Sequence, residues 1–169
     1  MPEADDNPHW YAIRTRSRHE KLVRDRLASQ AIEPLLPTVI RLSQWKDRRK
    51  EVEIPLFSGY CFARFAWRDR LSVQKIAGVV DIVRGGDVPA PIPDQEIDAI
   101  RSLMSSTLLY DSYPYMHEGM EVEVVRGPLK GVRGILARKG KRHRLIISVH
   151  LIQQAAAVEI DAADVAPVS

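Results

Sequence analysis

The residues best suited to nucleophilic or metal chemistry are one cysteine and five histidines. Cys61 sits in an apolar stretch with no obvious activating base, so a small buried side chain is favoured over a nucleophile. A single cysteine excludes an intrachain disulfide and any metal site that needs two thiolates. The histidines are scattered without metal-ligand spacing: His9, His19, His117, His143 and His150. We therefore predict that the chain holds no metal.

Acidic and glycine-rich segments give no better case for catalysis. Glu121 and Glu123 lie two apart on a predicted strand, where a solvated face explains them better than an acid/base pair. The segment closest to a phosphate-binding loop starts at Gly134. It has five residues between its glycines instead of four, and Arg142 stands where Ser or Thr would hold magnesium. We predict that the protein is not an enzyme and uses no cofactor.

Basic side chains remain, because the net charge is only +3 but the bases are clustered. One cluster lies at and after the first predicted strand, a second forms a predicted hairpin tip at 46–50, and a third spans 138–144. The first two include Arg14, Arg16, Arg18, Lys46, Arg48 and Arg49. Two interpretations are open for such clusters: a solvated surface, or contacts to the phosphates of a nucleic acid.

The composition is typical of a water-soluble chain. Its 169 residues fit one ordinary domain or two small ones, and 45% hydrophobic residues suffice for a core. No apolar run approaches the roughly 20 residues needed to cross a bilayer, and the acidic N-terminus does not resemble a secretion signal. We expect a cytoplasmic monomer without membrane contacts.

The first half of the chain is predicted to be an α+β unit. A β-prone run spans 10–15, and a helix is predicted from Ser17, because Ser17 and Glu20 have the spacing of a capping box. Further strands are predicted at 35–42, 51–55, 60–65 and 79–83, and further helices at 68–76 and from Asp94. The order β-α-β-β-β-α-β-α predicts helices packed on a mostly antiparallel sheet.

The second half changes character after an aperiodic stretch. Residues 106–117 contain Pro114 and small polar residues, so we predict a flexible linker there, between a first domain at 8–105 and a second at 118–169. Short β runs follow at 132–137, 145–149 and 156–160, separated by glycines. Short strands joined by turns predict a small β-barrel.

Four short motifs follow one another along the first half. They are Trp10-Tyr11, the turn Pro55-Leu56-Phe57-Ser58-Gly59-Tyr60, Gly78-Val79, and Val88-Pro89-Ala90-Pro91-Ile92. They resemble the N-terminal domain of the NusG family of transcription elongation factors, which has Trp-Tyr, Leu-Phe-Pro-Gly-Tyr, Gly-Val and Pro-x-Pro at these places. The resemblance implies a domain that binds the clamp of the largest RNA polymerase subunit.

A glycine-rich turn marks the second half. The run Val124-Val125-Arg126-Gly127-Pro128-Leu129-Lys130-Gly131, followed by Gly134, resembles the KOW motif that opens the SH3-like C-terminal barrel of the same family. The motif residues are Gly127, Pro128, Lys130, Gly131 and Gly134. The two resemblances together extend from about Trp10 to Val165.

The resemblance also implies where partners bind. In this family a hydrophobic concavity of the N-terminal domain grips the polymerase clamp helices, a role that falls here to Trp10, Phe57, Tyr60 and Phe62. The alternative is that these rings fill the core, which would leave no apolar hollow for the polymerase. The basic residues at 14–18 and at the hairpin tip are the candidates for contacts with upstream or nontemplate DNA.

Two departures from the family refine the functional expectation. Ser58 replaces the usual Pro before Gly59, which the turn should tolerate. In the barrel, Leu151-Ile152-Gln153-Gln154 stands where housekeeping members have Ile-Phe-Gly-Arg. The Phe and Arg of those members help to hold Rho or a ribosomal protein, so Leu151, Ile152 and Gln154 are the expected partner-binding residues here.

The missing Phe and Arg favour a specialised factor that suppresses pausing and termination on long operons. One alternative is a general NusG that couples polymerase to Rho or to the ribosome. An alternative of another class is a ribosome-associated KOW protein that binds RNA.

Overall fold

The protein, described by a computed structural model over residues 6–45, 48–116, 118–139 and 141–168, forms two compact units. The first is Met1–Pro93 and the second is Asp94–Ser169. Lys46, a predicted nucleic-acid contact, lies outside the described residues, as does His117.

The first unit is built on antiparallel strands. In chain order its elements are β1 (His9–Thr15), α1 (Glu20–Ser29), β2 (Glu33–Leu35), β3 (Thr38–Trp45), β4 (Arg48–Pro55), β5 (Tyr60–Phe65), α2 (Arg70–Gln74), β6 (Val79–Ile82), β7 (Arg84–Gly85) and β8 (Val88–Pro89). A four-stranded sheet has the order β2-β5-β1-β6, while β3 with β4 and β7 with β8 form separate two-stranded sheets. The expected helices on an antiparallel sheet are confirmed.

Alternation along β1 and β5 sorts their side chains onto two faces of the sheet. Odd-numbered residues of both strands join the main core cluster with residues of both helices. Its buried members are Tyr11, Ile13, Val23, Leu27, Leu36, Cys61, Ala63, Phe65, Trp67, Val73, Ile76 and Ile82. A Cβ at Gly78 would come within 3.0 Å of the Val23 side chain, and the φ of +101° there favours glycine. We call this side of the sheet the helix face.

The predicted capping box at the start of α1 is wrong. The helix begins at Glu20, its N-cap is His19, and no side chain caps it. The His19 ring nitrogen Nδ1 lies 2.8 Å from the Ser17 carbonyl oxygen, and Arg18 has a φ of +65°. Glu20 itself is buried at 4% exposure, so tertiary packing of the first turn overrides the local capping pattern.

The single strand predicted at 35–42 is two strands. The break falls at Leu36 and Pro37, both of which are buried, and proline cannot donate to a continuing ladder. In the part of the chain that the structure describes, β3 and β4 then pair only with each other, through eight residue pairs from Thr38 with Pro55 to Trp45 with Arg48. We call this β3–β4 hairpin the arm.

Over its described residues the second unit combines one α-helix with a six-stranded antiparallel sheet. Its elements are α3 (Asp94–Ser105), β9 (Tyr110–Tyr113), β10 (Met120–Val124), β11 (Arg133–Lys139), β12 (Arg142–Val149), β13 (Gln154–Ile160) and β14 (Val165–Pro167). The strand order is β14-β10-β11-β12-β13-β9, and among the described residues no pairing joins the two outer strands. The β character of this half is as predicted, but a closed barrel is not confirmed.

The predicted linker contains an ordered strand. Residues of β9 pair with β13, from Tyr113 opposite Ala155 to Tyr110 opposite Val158. Tyr113 and Met116 pack against a buried cluster of Ile135, Ile146, Ala155 and Ala157. Because alanines leave room above this part of the sheet, the larger linker side chains fill it, and a flexible tether over 106–117 is not confirmed.

Candidate functional site

The four predicted polymerase-binding rings belong to one side of the central sheet, opposite the helix face. The register of β1 and β5 sets Ala12 opposite Phe62 and Arg14 opposite Tyr60, and opposed residues share a face. Phe57, in the turn before β5, meets Phe62 edge-on with ring centroids 6.3 Å apart. We call this surface the ring face and define it by Trp10, Phe57, Tyr60 and Phe62.

Three of the four rings are not accessible in this conformation. Trp10 is 4% exposed, Phe57 1% and Phe62 0%, while Tyr60 is half-buried. Main chain also pairs with β1 beside Trp10, where the Ile92 N–H donates to the Trp10 carbonyl oxygen at 2.7 Å in an antiparallel bridge. The alternative that the rings are core residues accounts for this burial, and Tyr60 is the member of the set that solvent reaches.

The turn before β5 explains how Phe57 reaches the ring face. Gly59 has a φ of +84°, a conformation that L side chains rarely adopt. The turn is held by the Thr15 N–H, which donates to the Gly59 carbonyl at 2.8 Å, and by the Tyr60 N–H, which donates to that of Phe57 at 3.2 Å. Ser58 is exposed, which is consistent with its replacing the usual proline.

The first basic group borders the ring face. Arg14 is opposite Tyr60 in the register, and its Nε lies 3.8 Å from a carboxylate oxygen of Asp81 on β6. Arg16 and Arg18 follow β1 and are exposed. Because Arg14 already has an acidic neighbour, Arg16 and Arg18 are the better placed of the three to contact phosphate.

The second basic group lies at the end of the arm. Arg48 and Arg49 are exposed. At a rise of about 3.3 Å per residue, β4 places Arg48 about 23 Å from Pro55 at the base of the arm. The two basic groups therefore lie in different parts of the first unit, so a nucleic acid that contacts both must extend from β1 to the end of the arm.

Four of the KOW-like residues lie in the turn between β10 and β11, and Gly134 lies in β11. Gly127 and Gly131 have φ values of +92° and +91°, and the Gly131 N–H donates to the Val124 carbonyl at 2.8 Å. Pro128 and Lys130 are exposed. A Cβ at Gly134 would collide with the carbonyl oxygen of Ile146. The glycines are thus explained by turn geometry and close strand approach.

The residues predicted to bind a partner of the barrel lie where β12 turns into β13. Ile152 is buried at 6% exposure, and Leu151 and Gln154 are half-buried. This turn lies beside α3 in the second unit, because a Glu96 carboxylate oxygen accepts from the His150 N–H at 2.8 Å. In this conformation these residues do not form an open apolar surface.

Cys61 has the structural role predicted for it. Its side chain is fully buried on the helix face, and burial raises the pKa of the thiol from 9.0 to about 12, against the opposing effect of Arg24. The sulfur lies 3.7 Å from the Leu35 carbonyl oxygen. A thiol that stays protonated at neutral pH is a poor nucleophile.

Two kinds of site were also searched for over the described ranges. These residues contain no group of three or more His, Cys, Asp and Glu placed to hold a metal ion. Nor does any helix among them have the length and apolar character to span a membrane.

One candidate surface was missed in the sequence. Opposed residues of the arm share a face, which sets Ile40 beside Glu53 and Leu42 beside Glu51. All four are exposed, with both aliphatic side chains at 65%. We call these four residues the outer face of the arm. Because side chains alternate between the two faces of a strand, the sequence would have revealed the outer face once the register of β3 and β4 was known.

Comparison with known proteins completes this picture. A family model described as transcription termination factor nusG matches residues 8–101. A structure on domain interaction in Thermotoga maritima NusG is 20% identical, with a TM-score of 0.54, and covers 96% of this chain and 98% of its own. A crystal structure of the MjSpt4:Spt5 complex is 22% identical, with a TM-score of 0.31, and covers 95% and 97% respectively. No curated protein matches.

Proposed function

Because the chain belongs to the NusG family, we propose that it is a transcription elongation factor that acts by binding RNA polymerase. The observation that carries the proposal is the family match over residues 8–101, which includes every residue of the ring face and both basic groups. The likeness to the Thermotoga maritima structure supports the fold alone.

The ring face is the proposed contact with the clamp of the largest polymerase subunit. Buried aromatic rings that dock an apolar helix tip supply much of the energy of such interfaces. Since Trp10, Phe57 and Phe62 are buried here, binding at this surface needs a state of the protein in which they are exposed. The apparent affinity is then the intrinsic affinity multiplied by the fraction of molecules in that state.

A factor that binds the closed clamp better than the open one shifts the polymerase towards the closed state and shortens pauses. Arg16 and Arg18, with Arg48 and Arg49 of the arm, are the proposed contacts to upstream or nontemplate DNA. Phosphate contacts of this kind add affinity without sequence preference.

The second unit is the proposed recruiter of a further factor. Its turn Leu151-Ile152-Gln153-Gln154 lacks the Phe and Arg with which housekeeping relatives hold Rho or a ribosomal protein. We therefore favour a specialised factor that suppresses pausing and termination on long operons over a general factor that couples polymerase to Rho or the ribosome.

A transcription assay with purified polymerase and a template that contains a defined pause tests the proposal. We expect the wild-type protein to shorten the pause and Tyr60→Ala to weaken that effect. Because Tyr60 is half-buried, its substitution perturbs the fold less than that of a sealed ring. Phe57→Ala combined with Tyr60→Ala should abolish the effect, with the fold checked by circular dichroism.

The matched control is Val80→Ser, which changes an exposed aliphatic residue on β6 outside the ring face. It should leave the pause duration at the wild-type value. Full activity of a folded Tyr60→Ala, Phe57→Ala double variant would remove the ring face from the polymerase site.

A further inference from the structure

The arm has two chemically different faces. Val39, Val52 and Ile54 share one face and are partly buried. The outer face instead carries Ile40 and Leu42, each 65% exposed. A solvated strand face normally carries polar residues, so two aliphatic residues in successive positions of an otherwise exposed face need an explanation.

The charges beside these aliphatic residues indicate what the outer face binds. Glu53 and Glu51 are their direct cross-strand neighbours, and both acidic residues are exposed. Two acidic side chains repel the phosphates of a nucleic acid, whereas aliphatic side chains gain from contact with apolar protein surface. The surface complementary to the outer face is a protein segment with aliphatic residues bordered by Lys or Arg.

We propose that the outer face of the arm docks onto a basic, aliphatic protein surface of the transcribing RNA polymerase, as a contact separate from the ring face. This inference rests on the proposed function. It divides the roles along one hairpin: Ile40, Leu42, Glu51 and Glu53 contact protein, while Arg48 and Arg49 at the far end contact nucleic acid. Arg49 shares the face of Glu51, so it lies where the protein contact gives way to the nucleic-acid contact.

Binding of the fluorescently labelled full chain to a purified, stalled elongation complex tests this. We expect Ile40→Ser with Leu42→Ser to weaken binding at least about tenfold, as loss of two docked aliphatic side chains does. Val80→Ser removes an aliphatic residue of similar exposure from β6 and should leave the affinity unchanged.

Charge reversal tells the two kinds of partner apart by its sign. Glu51→Lys with Glu53→Lys should weaken binding about threefold to tenfold if the outer face meets a basic protein surface. It should strengthen binding if that face meets nucleic acid, and such a result would overturn the inference. Benzoylphenylalanine in place of Leu42 should give a crosslinked product that resists nuclease and contains a polymerase subunit.

The remaining outcomes separate the two proposals. Wild-type binding that the double serine variant leaves unchanged, or a nuclease-sensitive crosslink at position 42, overturns the docking of the outer face and leaves the proposed function standing. Failure of the wild-type chain to bind the elongation complex overturns both.

Discussion

The ring face and the outer face of the arm are both apolar, yet they differ in what an isolated molecule lets a partner reach. The ring face has the larger side chains, and three of its four rings are sealed, with Phe62 at 0% exposure. The outer face has two aliphatic residues that are mostly in water. Large aromatic side chains can therefore be inaccessible to a partner while smaller aliphatic ones are accessible. Residue type alone does not tell the two cases apart.

The energetic meaning of that contrast is testable. A sealed ring contributes to folding, because its removal leaves a cavity among its neighbours. An exposed aliphatic residue contributes almost nothing to folding, so any effect of its substitution on function reports on a partner. The predictions below proceed from the largest expected effect to the smallest.

The largest effect is expected at the centre of the ring face. Phe62→Ala should lower the free energy of unfolding by about 3–5 kcal/mol, because the side chain is fully buried and Phe57 packs against it. Leu42→Ala on the arm should lower it by less than about 0.5 kcal/mol. Urea denaturation monitored by circular dichroism measures both changes. Similar losses of unfolding free energy in the two variants would contradict the difference between the ring face and the outer face.

A second effect concerns the helix face and depends on pH. The Cys61 pKa is about 12 in the folded protein against 9.0 for the unperturbed thiol. Below pH 9 both states hold the proton and the thiol does not alter stability. Above it, only the unfolded thiol ionises, so stability falls until the pH passes the folded pKa, with a limiting slope of about 1.4 kcal/mol per pH unit.

The measurement for this second effect is urea denaturation at intervals between pH 8 and about pH 11. Wild-type protein should lose stability with rising pH more steeply than Cys61→Ala, which keeps every tyrosine and lysine but has no thiol. Parallel curves for the two proteins would mean that Cys61 ionises as easily in the folded state as in the unfolded one.

The smallest effect on stability is expected at the end of the arm. Arg48→Ala with Arg49→Ala should change the free energy of unfolding by less than about 0.5 kcal/mol, because both residues are exposed. Binding to duplex DNA should nonetheless weaken, and the slope of log K against log salt should fall by roughly 1.8 for two lost phosphate contacts. An unchanged slope would show that the arm does not contact phosphate. The control is Glu121→Ala, a change of an exposed residue in the second unit that should leave both stability and the slope unchanged.

Most strands of the first unit could be predicted because their signals are local, but the break between β2 and β3 and the short strands β7 and β8 were missed. β1 and β5 are short β-prone runs, and Gly59 marks the turn that places Phe57 and Tyr60. The exposure of the rings could not be predicted in the same way. Both faces of β5 carry aromatic or apolar residues, so alternation says that both faces are covered and does not say whether a partner or the protein itself covers one of them.

Other failures have the same origin in contacts that are distant along the chain. Ser17 and Glu20 have the spacing of a capping box, but burial of Glu20 places the helix start at that residue instead. Tyr110 and Tyr113 lie in a stretch with no clear period. They form a strand because their main chain pairs with β13 and the Tyr113 side chain packs on the cluster that contains Ala155 and Ala157.

The central claim is that this chain acts by binding transcribing RNA polymerase through the ring face. Titration of the labelled full chain against a purified elongation complex, and separately against the small ribosomal subunit, tests it most directly. The account predicts saturable binding to the elongation complex that is at least about tenfold weaker for folded Phe57→Ala, Tyr60→Ala protein. Saturable binding to the ribosomal subunit with none to polymerase, or an unchanged affinity of that variant, would contradict it.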